Sequence, residues 1–416
     1  MRRDDIEYYD FLETRDPLVR EAELFASLPE QIEIARQRAP QLARILGDLP
    51  SAEIASRVAL ARLPVLRKSD LMELQKRAPP FGGLATVSAG QTVHVFASPG
   101  PIYELEGRDP DFAGLARALF AAGFRRGDLL YNTFSYHFTP AGLMFEAGAR
   151  ALGCAVFPAG VGQTELQAAT IADLRPQGYV GTPSFLKIVL EKGRELGCDH
   201  SSLKKALVSG EALPGSLKAA FEEQGLRVSQ AYMTADLGLI AYESEARDGL
   251  IVNEGILVEI VRPGTGDPVP EGEVGEVVVT SLRVPEYPLL RFATGDLSAV
   301  LPGTSPCGRT NMRVRGWLGR ADQSAKVRGL FVHPSLIARI LSRHPEILRA
   351  RLVVRREEDE DQMTLRCETG SPPAEGLARD VALSIREVCK LRGEVELLPA
   401  GSLPNDGKII EDTRPV

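Results

Sequence analysis

A regular alternation of strand-like and helix-like segments between residues 112 and 224 constrains the fold of this chain more than any other feature. DLLYNTF and CAVFPAG are short apolar runs of strand length, and amphipathic helical patterns such as PAGLMFEAGARALG and SFLKIVLEKGREL lie beside them. Strands that alternate with helices of this length form a parallel sheet covered by helices. The sequence therefore predicts an α/β fold.

The pattern changes after Leu237, where a section up to Val300 is predicted to be all β. Short apolar runs such as ILVEIV are separated there by turn-forming clusters rich in Gly and Pro. Residues 324–416 again mix strand and helix patterns. We predict a large N-terminal domain over 1–318 and a small α+β C-terminal domain over 322–416.

Residues 20–49 and 52–77 are rich in Ala, Leu, Glu, Gln and Arg at helical spacing. Pro29, Pro40 and Pro64 interrupt this pattern. Proline has no amide proton and clashes with the preceding helical turn. The N-terminal part is therefore predicted to form several short helices, each broken at a proline.

Composition excludes some classes of function. The net charge is −7, with 49 Lys and Arg against 56 Asp and Glu, which argues against a nucleic-acid partner. No apolar run approaches the ~18 residues of a membrane helix, and the N-terminus has no apolar signal core. Five scattered cysteines form no CxxC pair and are typical of free thiols. We expect a cytoplasmic protein that acts on a small molecule.

Two segments near the predicted domain boundary carry polar groups suited to a nucleotide. In RFATGDLSAV, Asp296 follows a strand, and its carboxylate could accept two hydrogen bonds from a ribose diol. The alternative is an ordinary Thr-Gly-Asp turn. In GWLGRADQ, Arg320 could bind a ribose or phosphate oxygen and Asp322 could lie where the chain flexes. A surface ion pair in a linker is equally compatible with these residues.

Three further segments carry candidate residues. In SQAYMTADLG, Tyr232 could stack on a base and Asp236 could help to hold Mg²⁺, which prefers carboxylate oxygen. VSGEALP offers backbone groups of Gly210 and Glu211 at the same predicted sheet edge, where such folds bind ligands. In LPNDGK, Lys408 follows a tight-turn sequence that would present its ammonium group. Taken singly, each residue is compatible with a purely structural role.

The order of these segments resembles the phenylacetate–coenzyme A ligase family of the adenylate-forming superfamily. The resemblance runs from about Leu63 to the C-terminus and rests on SGEAL, YMTADLG, PGTGDPVPEGEVGEVVVT, PLLRFATGDLS, GRADQSAKVRG and LPNDGK. It implies a small C-terminal domain that rotates between adenylation and thioester formation. ATP, Mg²⁺ and coenzyme A are the cofactors it implies, and it suggests a homodimer.

The resemblance also implies roles for individual residues. Gly210 and Glu211 match the adenine-side loop, and Tyr232 matches the base-stacking tyrosine. Catalytic roles fall on Lys408, which assists adenylation, and on Asp236, which would also be the metal ligand. The remaining matches are Asp296 for the ribose, Arg320 beside it, Asp322 as the hinge, Ser98 and Gly100 in the phosphate loop, and Tyr136, His137, Phe138 and Gly142 around the aromatic acid.

Three departures from the family pattern affect these assignments. The phosphate loop reads FASPGPIYE, so Pro99 and Pro101 replace amide donors, and the usual threonines and lysine are missing. Ala235-Asp236 stands where the family has a hydroxyl residue followed by Glu. Of the cysteines that hold zinc in some relatives, this chain keeps Cys307 alone, which cannot form a zinc site.

Three functions stay open on the sequence. The first is ATP-dependent activation of an aryl carboxylic acid to an acyl-adenylate, followed by transfer to coenzyme A. The second is a catalytically degenerate protein that binds a nucleotide or acyl ligand on the same fold, which the altered loop favours. The third is an adenylate-forming enzyme with another acyl acceptor. Retention of Asp296, Arg320 and Lys408 together favours an enzyme.

Overall fold

The computed structural model describes residues 8–98, 101–328, 330–357, 360–370, 375–404 and 408–414. The chain forms two compact units. The large unit contains the described residues up to Thr294 together with Ala299–Trp317, and the small unit contains Gly295–Ser298 and the described residues from Leu318 onward. The predicted boundaries place Gly295–Ser298 in the large domain instead, and those boundaries stay a prediction.

The helices of the described residues are α1 (Pro17–Arg38), α2 (Pro40–Leu46), α3 (Arg57–Leu60), α4 (Lys68–Arg77), α5 (Leu115–Ala121), α6 (Ala141–Leu152), α7 (Thr164–Leu174), α8 (Pro183–Leu196), α9 (Gly215–Glu223), α10 (Pro334–Leu341) and α11 (Leu377–Cys389).

The strands are β1 (Leu66–Arg67), β2 (Val95–Ser98), β3 (Ile102–Leu105), β4 (Leu129–Asn132), β5 (Ala155–Pro158), β6 (Gly178–Gly181), β7 (Lys205–Val208), β8 (Arg227–Thr234), β9 (Gly238–Glu243), β10 (Leu250–Val252), β11 (Ile256–Val261), β12 (Gly275–Ser281), β13 (Phe292–Ser298), β14 (Val300–Leu301), β15 (Arg313–Val314), β16 (Ala325–Val327), β17 (Leu330–Val332), β18 (Ile347–Glu357), β19 (Glu360–Thr369), β20 (Glu394–Pro399) and β21 (Ile410–Asp412).

The predicted α/β alternation is confirmed in the main sheet of the large unit. Its order over the described residues is β14-β15-β10-β9-β8-β7-β6-β4-β5, and the pairs from β8 to β5 are parallel. Leu130 faces α5 and α6, whereas the next residue, Tyr131, packs in the core beneath α7, α8 and α9. Because side chains alternate along a strand, both faces of this sheet are covered by helices.

The predicted all-β section is also confirmed. Strands β9, β10 and β15 continue the main sheet in antiparallel pairs. A second sheet has the order β1-β13-β12-β11, with β11 and β12 forming a buried antiparallel pair. The N-terminal helices pack on this section, since Leu28 and Ile32 of α1 share a core with Val258 and Val279.

One prediction about the N-terminal helices was wrong, because α1 continues through Pro29 to Arg38. The helix begins at Pro17, where the missing amide proton removes no helical hydrogen bond, and the Asp16 carboxylate caps the first turn. A proline in a helix interior costs about 3 kcal/mol. The flanking residues Leu28 and Ile32 are fully buried, so tertiary packing outweighs this local cost. Pro40 starts α2, as a helix-breaking residue should.

The small unit contains a sheet of order β20-β19-β18-β21 with α10 and α11 packed on it, as the α+β prediction requires. Within the described part of the chain, no helix combines the length and apolar character needed to cross a membrane.

Candidate functional site

Tyr232 and Asp236 lie at the carboxyl end of β8, which is the last parallel strand of the main sheet. The Tyr232 hydroxyl donates to Thr294 Oγ1 at 3.1 Å, and the Thr294 hydroxyl donates to the Val277 carbonyl oxygen at 3.1 Å. These bonds join the end of β8 to the second sheet. The half-buried ring of Tyr232 is thereby held in one orientation, and its stacking on a base stays a prediction.

The Asp236 carboxylate is fully buried and paired with a lysine from a distant segment. Lys68 Nζ lies 2.6 Å from Asp236 Oδ2, and their side chains are 32% and 0% exposed. The other oxygen, Oδ1, is buried and has no hydrogen-bond partner among the residues that the structure describes. Lys68 is the first residue of α4 and was missed by sequence reasoning, because nothing in the pattern links it to a residue 168 positions away.

Glu104 of β3 contributes a second buried carboxyl to this region. It accepts hydrogen bonds from the Ser98 hydroxyl and, at 3.3 Å, from the Ser98 amide. Burial, and then the Asp236 carboxylate, raise the pKa of Glu104 to about 7, against the Ser98 hydrogen bond and the Lys68 ammonium. The acid occupies an inward position of the apolar strand IYEL, and that signal could have identified it.

The predicted phosphate loop is described only at its edges. Ser98 ends β2 and is buried, while Pro99 and Gly100 lie outside the described residues. Strands β2 and β3 pair in antiparallel fashion from Val95↔Leu105 to Ser98↔Ile102. Ser98 is engaged with Glu104, so the structure gives its hydroxyl a partner within the protein.

Gly210 and Glu211 form an exposed loop after β7. Gly210 has a φ of +82°, a backbone conformation that favours glycine. The Glu211 carboxylate accepts from the Ser184 hydroxyl at 2.9 Å and from the Ser184 amide at 3.3 Å, at the amino end of α8. A negative charge is favourable at a helix N-terminus, so the contact of Glu211 with the start of α8 stabilises this loop.

Of the predicted acid-pocket residues, Tyr136 and Gly142 lie together. The Tyr136 hydroxyl accepts from Asn132 Nδ2 at 2.8 Å, and the same amide group donates to the Gly142 carbonyl oxygen at 2.9 Å. A Cβ on Gly142 would lie 2.6 Å from the Ser135 carbonyl oxygen, so the close approach requires glycine. His137 and Phe138 are exposed, with Phe138 at 82%, and do not join this pair.

In the small unit, the predicted neighbours Asp296 and Arg320 are in contact. Arg320 Nη1 lies 3.2 Å from Asp296 Oδ1, and backbone hydrogen bonds between Leu297 and the segment Leu318–Gly319 hold the two segments side by side. Gly295 has a φ of +76°, a backbone conformation that favours glycine, so the turn before Asp296 calls for glycine. Asp322, 70% exposed, lies 3.4 Å from Arg320 Nε on the next turn.

Lys408 is exposed and directly precedes the backbone contact that joins its loop to the hinge segment. The Ile409 amide donates to Gln323 Oε1 at 3.0 Å, and Gln323 is one residue after the predicted hinge Asp322. The turn residues Asn405, Asp406 and Gly407 lie outside the described residues. The structure therefore joins Ile409, the residue after Lys408, to the segment that carries Arg320 and Asp322.

Cys307 lies where some relatives would carry a zinc ligand. Its thiol contacts the Ser305 hydroxyl at 3.0 Å and Arg309 Nη1 at 3.4 Å. Burial raises the pKa of this thiol, but hydrogen bonds from Ser244, Ser305 and Arg309 outweigh it and lower the pKa below its ordinary value. No group of three or more His, Cys, Asp or Glu side chains suited to a metal ion occurs within the described ranges.

Comparison with known proteins gives a consistent result. The AMP-binding enzyme family model matches residues 113–284. The phenylacetate–coenzyme A ligase of Thermus thermophilus is 33% identical over 333 residues, covering 75% of this chain and 73% of that protein. The corresponding ligase of Aromatoleum evansii is 31% identical, covering 71% and 68%.

Solved structures extend the similarity over almost the whole chain. An open conformation of 2-hydroxyisobutyryl-CoA ligase, in complex with 2-HIB-AMP and CoA, superimposes with a TM-score of 0.87 at 26% identity. The superposition covers 99% of this chain and 96% of that structure. Together with the sequence relatives, it shows that this chain belongs to the phenylacetate–coenzyme A ligase family of adenylate-forming enzymes.

Proposed function

We propose that this protein uses ATP to activate a carboxylic acid and then transfers the acyl group to coenzyme A. In the first step a carboxylate oxygen attacks the α-phosphorus of ATP, and the bond to the departing pyrophosphate breaks. In the second step the coenzyme A thiolate attacks the acyl carbonyl carbon, and AMP leaves. The observation that carries the proposal is the Asp296–Arg320 pair, held by a glycine turn next to the hinge segment.

The pair suits the nucleotide chemistry for a physical reason. A carboxylate bonded to both hydroxyls of a ribose makes two charge-assisted hydrogen bonds, which are short and directional. Arg320, at 3.2 Å, orients the Asp296 carboxylate. Tyr232 would stack on the adenine base, and Gly210 and Glu211 would form the adenine-side loop. These roles follow the family resemblance.

Lys408 is proposed to stabilise the charge that develops on the phosphate oxygens during adenylation. An ammonium placed where charge develops lowers the barrier more than it strengthens ground-state binding. Asp322 is proposed as the hinge that brings Lys408 to and from the reacting atoms. We propose that Mg²⁺ enters with ATP, as part of the substrate complex.

The acid is proposed to be aryl and phenylacetate-like, with Tyr136 and Gly142 at its pocket. The names of the sequence relatives support this class. The structural neighbour is named for 2-hydroxyisobutyrate, a small branched hydroxy acid, and supplies the contrasting candidate. We also propose that the protein acts in the cytoplasm as a homodimer. Sedimentation velocity would test the oligomeric state.

Acid-dependent exchange of labelled pyrophosphate into ATP tests the proposal directly. The panel should contain phenylacetate, benzoate, 2-hydroxyisobutyrate and acetate, each with and without coenzyme A. Exchange with phenylacetate above the small acids supports both the reaction and the substrate class. Exchange with 2-hydroxyisobutyrate alone would retain the reaction and reject the aryl class. Silence with all acids, in protein that binds AMP, would reject the reaction.

Lys408 gives a test of role within the same assay. Lys408→Ala should reduce the exchange rate by about two orders of magnitude or more while AMP affinity changes little. Lys408→Arg keeps the charge on a different shape and should retain part of the rate. The matched control is Lys76→Ala on α4, a lysine that is 70% exposed and should leave exchange unchanged. Equal exchange in Lys408→Ala and wild type would refute the assignment.

A further inference from the structure

Three elements of the large unit converge on the buried carboxylate of Asp236. Helix α4 supplies Lys68 at its first residue, the β2–β3 hairpin supplies Glu104, and Asp236 itself lies in the turn between β8 and β9. Gln75 of α4 binds the hairpin through both of its amide atoms, each 2.8 Å from the Tyr103 backbone. The same helix therefore fixes both Lys68 and the hairpin.

The charges in this region are nearly balanced without any added ion. Asp236 carries one negative charge and is met at 2.6 Å by the single positive charge of Lys68. Glu104 is buried and accepts the Ser98 hydroxyl and amide hydrogen bonds. Tyr287, 3% exposed, is a further titratable group near these carboxyls, and burial followed by Asp236 raises its pKa. The buried Asp236 carboxylate needs a cationic partner such as the Lys68 ammonium, because an uncompensated buried charge is strongly destabilising.

These residues do not fit a resident magnesium site. Mg²⁺ requires near-octahedral oxygen ligands at about 2.0–2.1 Å. One Asp236 oxygen is taken by an ammonium group, and only the other, Oδ1, lacks a partner among the described residues. A divalent ion at Oδ1 would lie within a few ångströms of the Lys68 ammonium, and like charges at that distance repel strongly in a buried site.

We propose that the Lys68 ammonium holds the place at Asp236 that a protein-bound divalent cation would take. Asp236 is then a positioning residue for Lys68, and it is not a metal ligand in this chain. The site carries a fixed single positive charge that does not depend on the metal concentration. This inference does not rest on the proposed reaction, because it concerns the protein without nucleotide or acid.

Mn²⁺ binding to the full-length protein without nucleotide tests the proposal. Mn²⁺ substitutes for Mg²⁺, and the loss of its free-ion electron paramagnetic resonance signal measures binding. We compare wild type, Asp236→Asn, Lys68→Met and the double variant Lys68→Met/Asp236→Asn. Lys68→Met removes the ammonium, keeps the apolar stem and leaves Asp236 and Glu104 uncompensated. It should bind Mn²⁺ at least about tenfold more tightly than wild type, and the double variant should lose this gain.

Two outcomes would overturn the proposal. The first is Mn²⁺ binding by wild type that Asp236→Asn abolishes, since Asp236 would then be a metal ligand. The second is a folded Lys68→Met variant whose Mn²⁺ affinity equals that of wild type. Weak binding common to all four proteins reports other surface carboxylates, and the comparison between variants removes it.

A second measurement covers the case in which Lys68→Met does not fold. The ammonium protons of a partly buried, ion-paired lysine exchange more slowly than those of a free lysine and can be observed by nuclear magnetic resonance. The Lys68 signal is assigned by its loss in Lys68→Arg, which keeps the charge. In wild type this signal should persist, unshifted, when Mg²⁺ is added to millimolar concentration. Loss or displacement of the signal by Mg²⁺ would show that the metal competes for Asp236 and would refute the inference.

Discussion

Arg291 should be a major contributor to the stability of the large unit, and Arg291→Met tests this. The residue starts the RFATGD segment and is 2% exposed. Its Nε donates to Glu259 Oε2 at 3.0 Å, and its two terminal nitrogens donate to carbonyl oxygens of Ala61, Leu63 and Gly266 at 2.6–2.9 Å. Four chain segments are therefore joined through one guanidinium.

The expected loss follows from what the substitution leaves behind. Methionine keeps the apolar stem but removes every donor, so Glu259 becomes a buried charge with a single distant cation, Arg57, acting on it. The second Glu259 oxygen already lacks a hydrogen bond within the described structure. Breaking one partner out of a buried ion pair costs about 3–5 kcal/mol. Since natural domains are stable by about 5–15 kcal/mol, this loss would leave the unit marginal.

The destabilisation should also depend on pH. Burial raises the pKa of Glu259, and Arg291 opposes this shift. Without Arg291 the pKa in the folded state rises further above its unfolded value. A carboxyl whose pKa is raised in the folded state holds its proton more tightly there than in the unfolded state. The folded state therefore loses stability as the pH rises from the unfolded pKa through the folded pKa. The variant should therefore lose more stability at pH 8 than at pH 5.

Urea unfolding followed by circular dichroism at both pH values measures this loss. Arg291→Met combined with Glu259→Gln removes the buried charge and should largely abolish the pH dependence. Arg62→Ala breaks a surface pair whose members are 56% and 54% exposed and should match wild type. A loss below about 1 kcal/mol in Arg291→Met, or a loss that is larger at pH 5, would refute the reasoning.

Two further predictions concern the large unit. Cys307 should be alkylated by iodoacetamide faster than the buried Cys154, because hydrogen bonds lower the pKa of the Cys307 thiol whereas burial raises that of Cys154 to about 11. Peptide mass spectrometry at pH 7.5 measures both alkylation rates, and equal rates would contradict the prediction. Gly238→Ala should lower the melting temperature more than Gly225→Ala. Both glycines have a positive φ, but only a Cβ at Gly238 would lie 2.7 Å from a backbone oxygen, that of Ala113, so equal losses would contradict the steric argument.

The sequence was sufficient for the parts of the fold that rest on periodicity. The strands DLLYNTF and CAVFPAG appear as β4 and β5, and the helix predicted between them appears as α6. Strand β4 is buried along most of its length and α6 buries one stripe, so their pattern and their tertiary environment agree. The prediction that Pro29 would break α1 was wrong. Packing against the all-β section, which the local pattern does not show, outweighed the local cost of a proline inside a helix.

The residues of the candidate site also differ in how far the sequence could predict their contacts. Asp296 and Arg320 could be paired from the order of the family segments, and the structure places them 3.2 Å apart. Lys68 and Glu104 could not be paired with Asp236, because their contacts join segments more than 130 positions apart through burial and charge. No characteristic sequence spacing identifies electrostatic partners of this kind, so they are recognised only in the folded structure.

Two departures from the family pattern meet at one cluster, so a reversion of Asp236 alone would leave the Lys68 ammonium in place. The altered hairpin contributes Ser98 and Glu104, and the shortened acid is Asp236, which touches Lys68. Asp236→Glu would restore the usual family residue. The side chain is 0% exposed, however, and an added methylene in a packed site costs about 1–3 kcal/mol.

We therefore expect Asp236→Glu to melt at a lower temperature than wild type and to gain no Mn²⁺ affinity. Lys68 would still occupy one carboxylate oxygen of the longer side chain, so the charge that opposes a metal ion would remain. Differential scanning fluorimetry with and without Mn²⁺ measures both effects, with Asp267→Glu in an exposed turn as the control for an added methylene. Stabilisation of Asp236→Glu by Mn²⁺ beyond that of wild type would show that side-chain length, and not the Lys68 ammonium, keeps a divalent cation from this site.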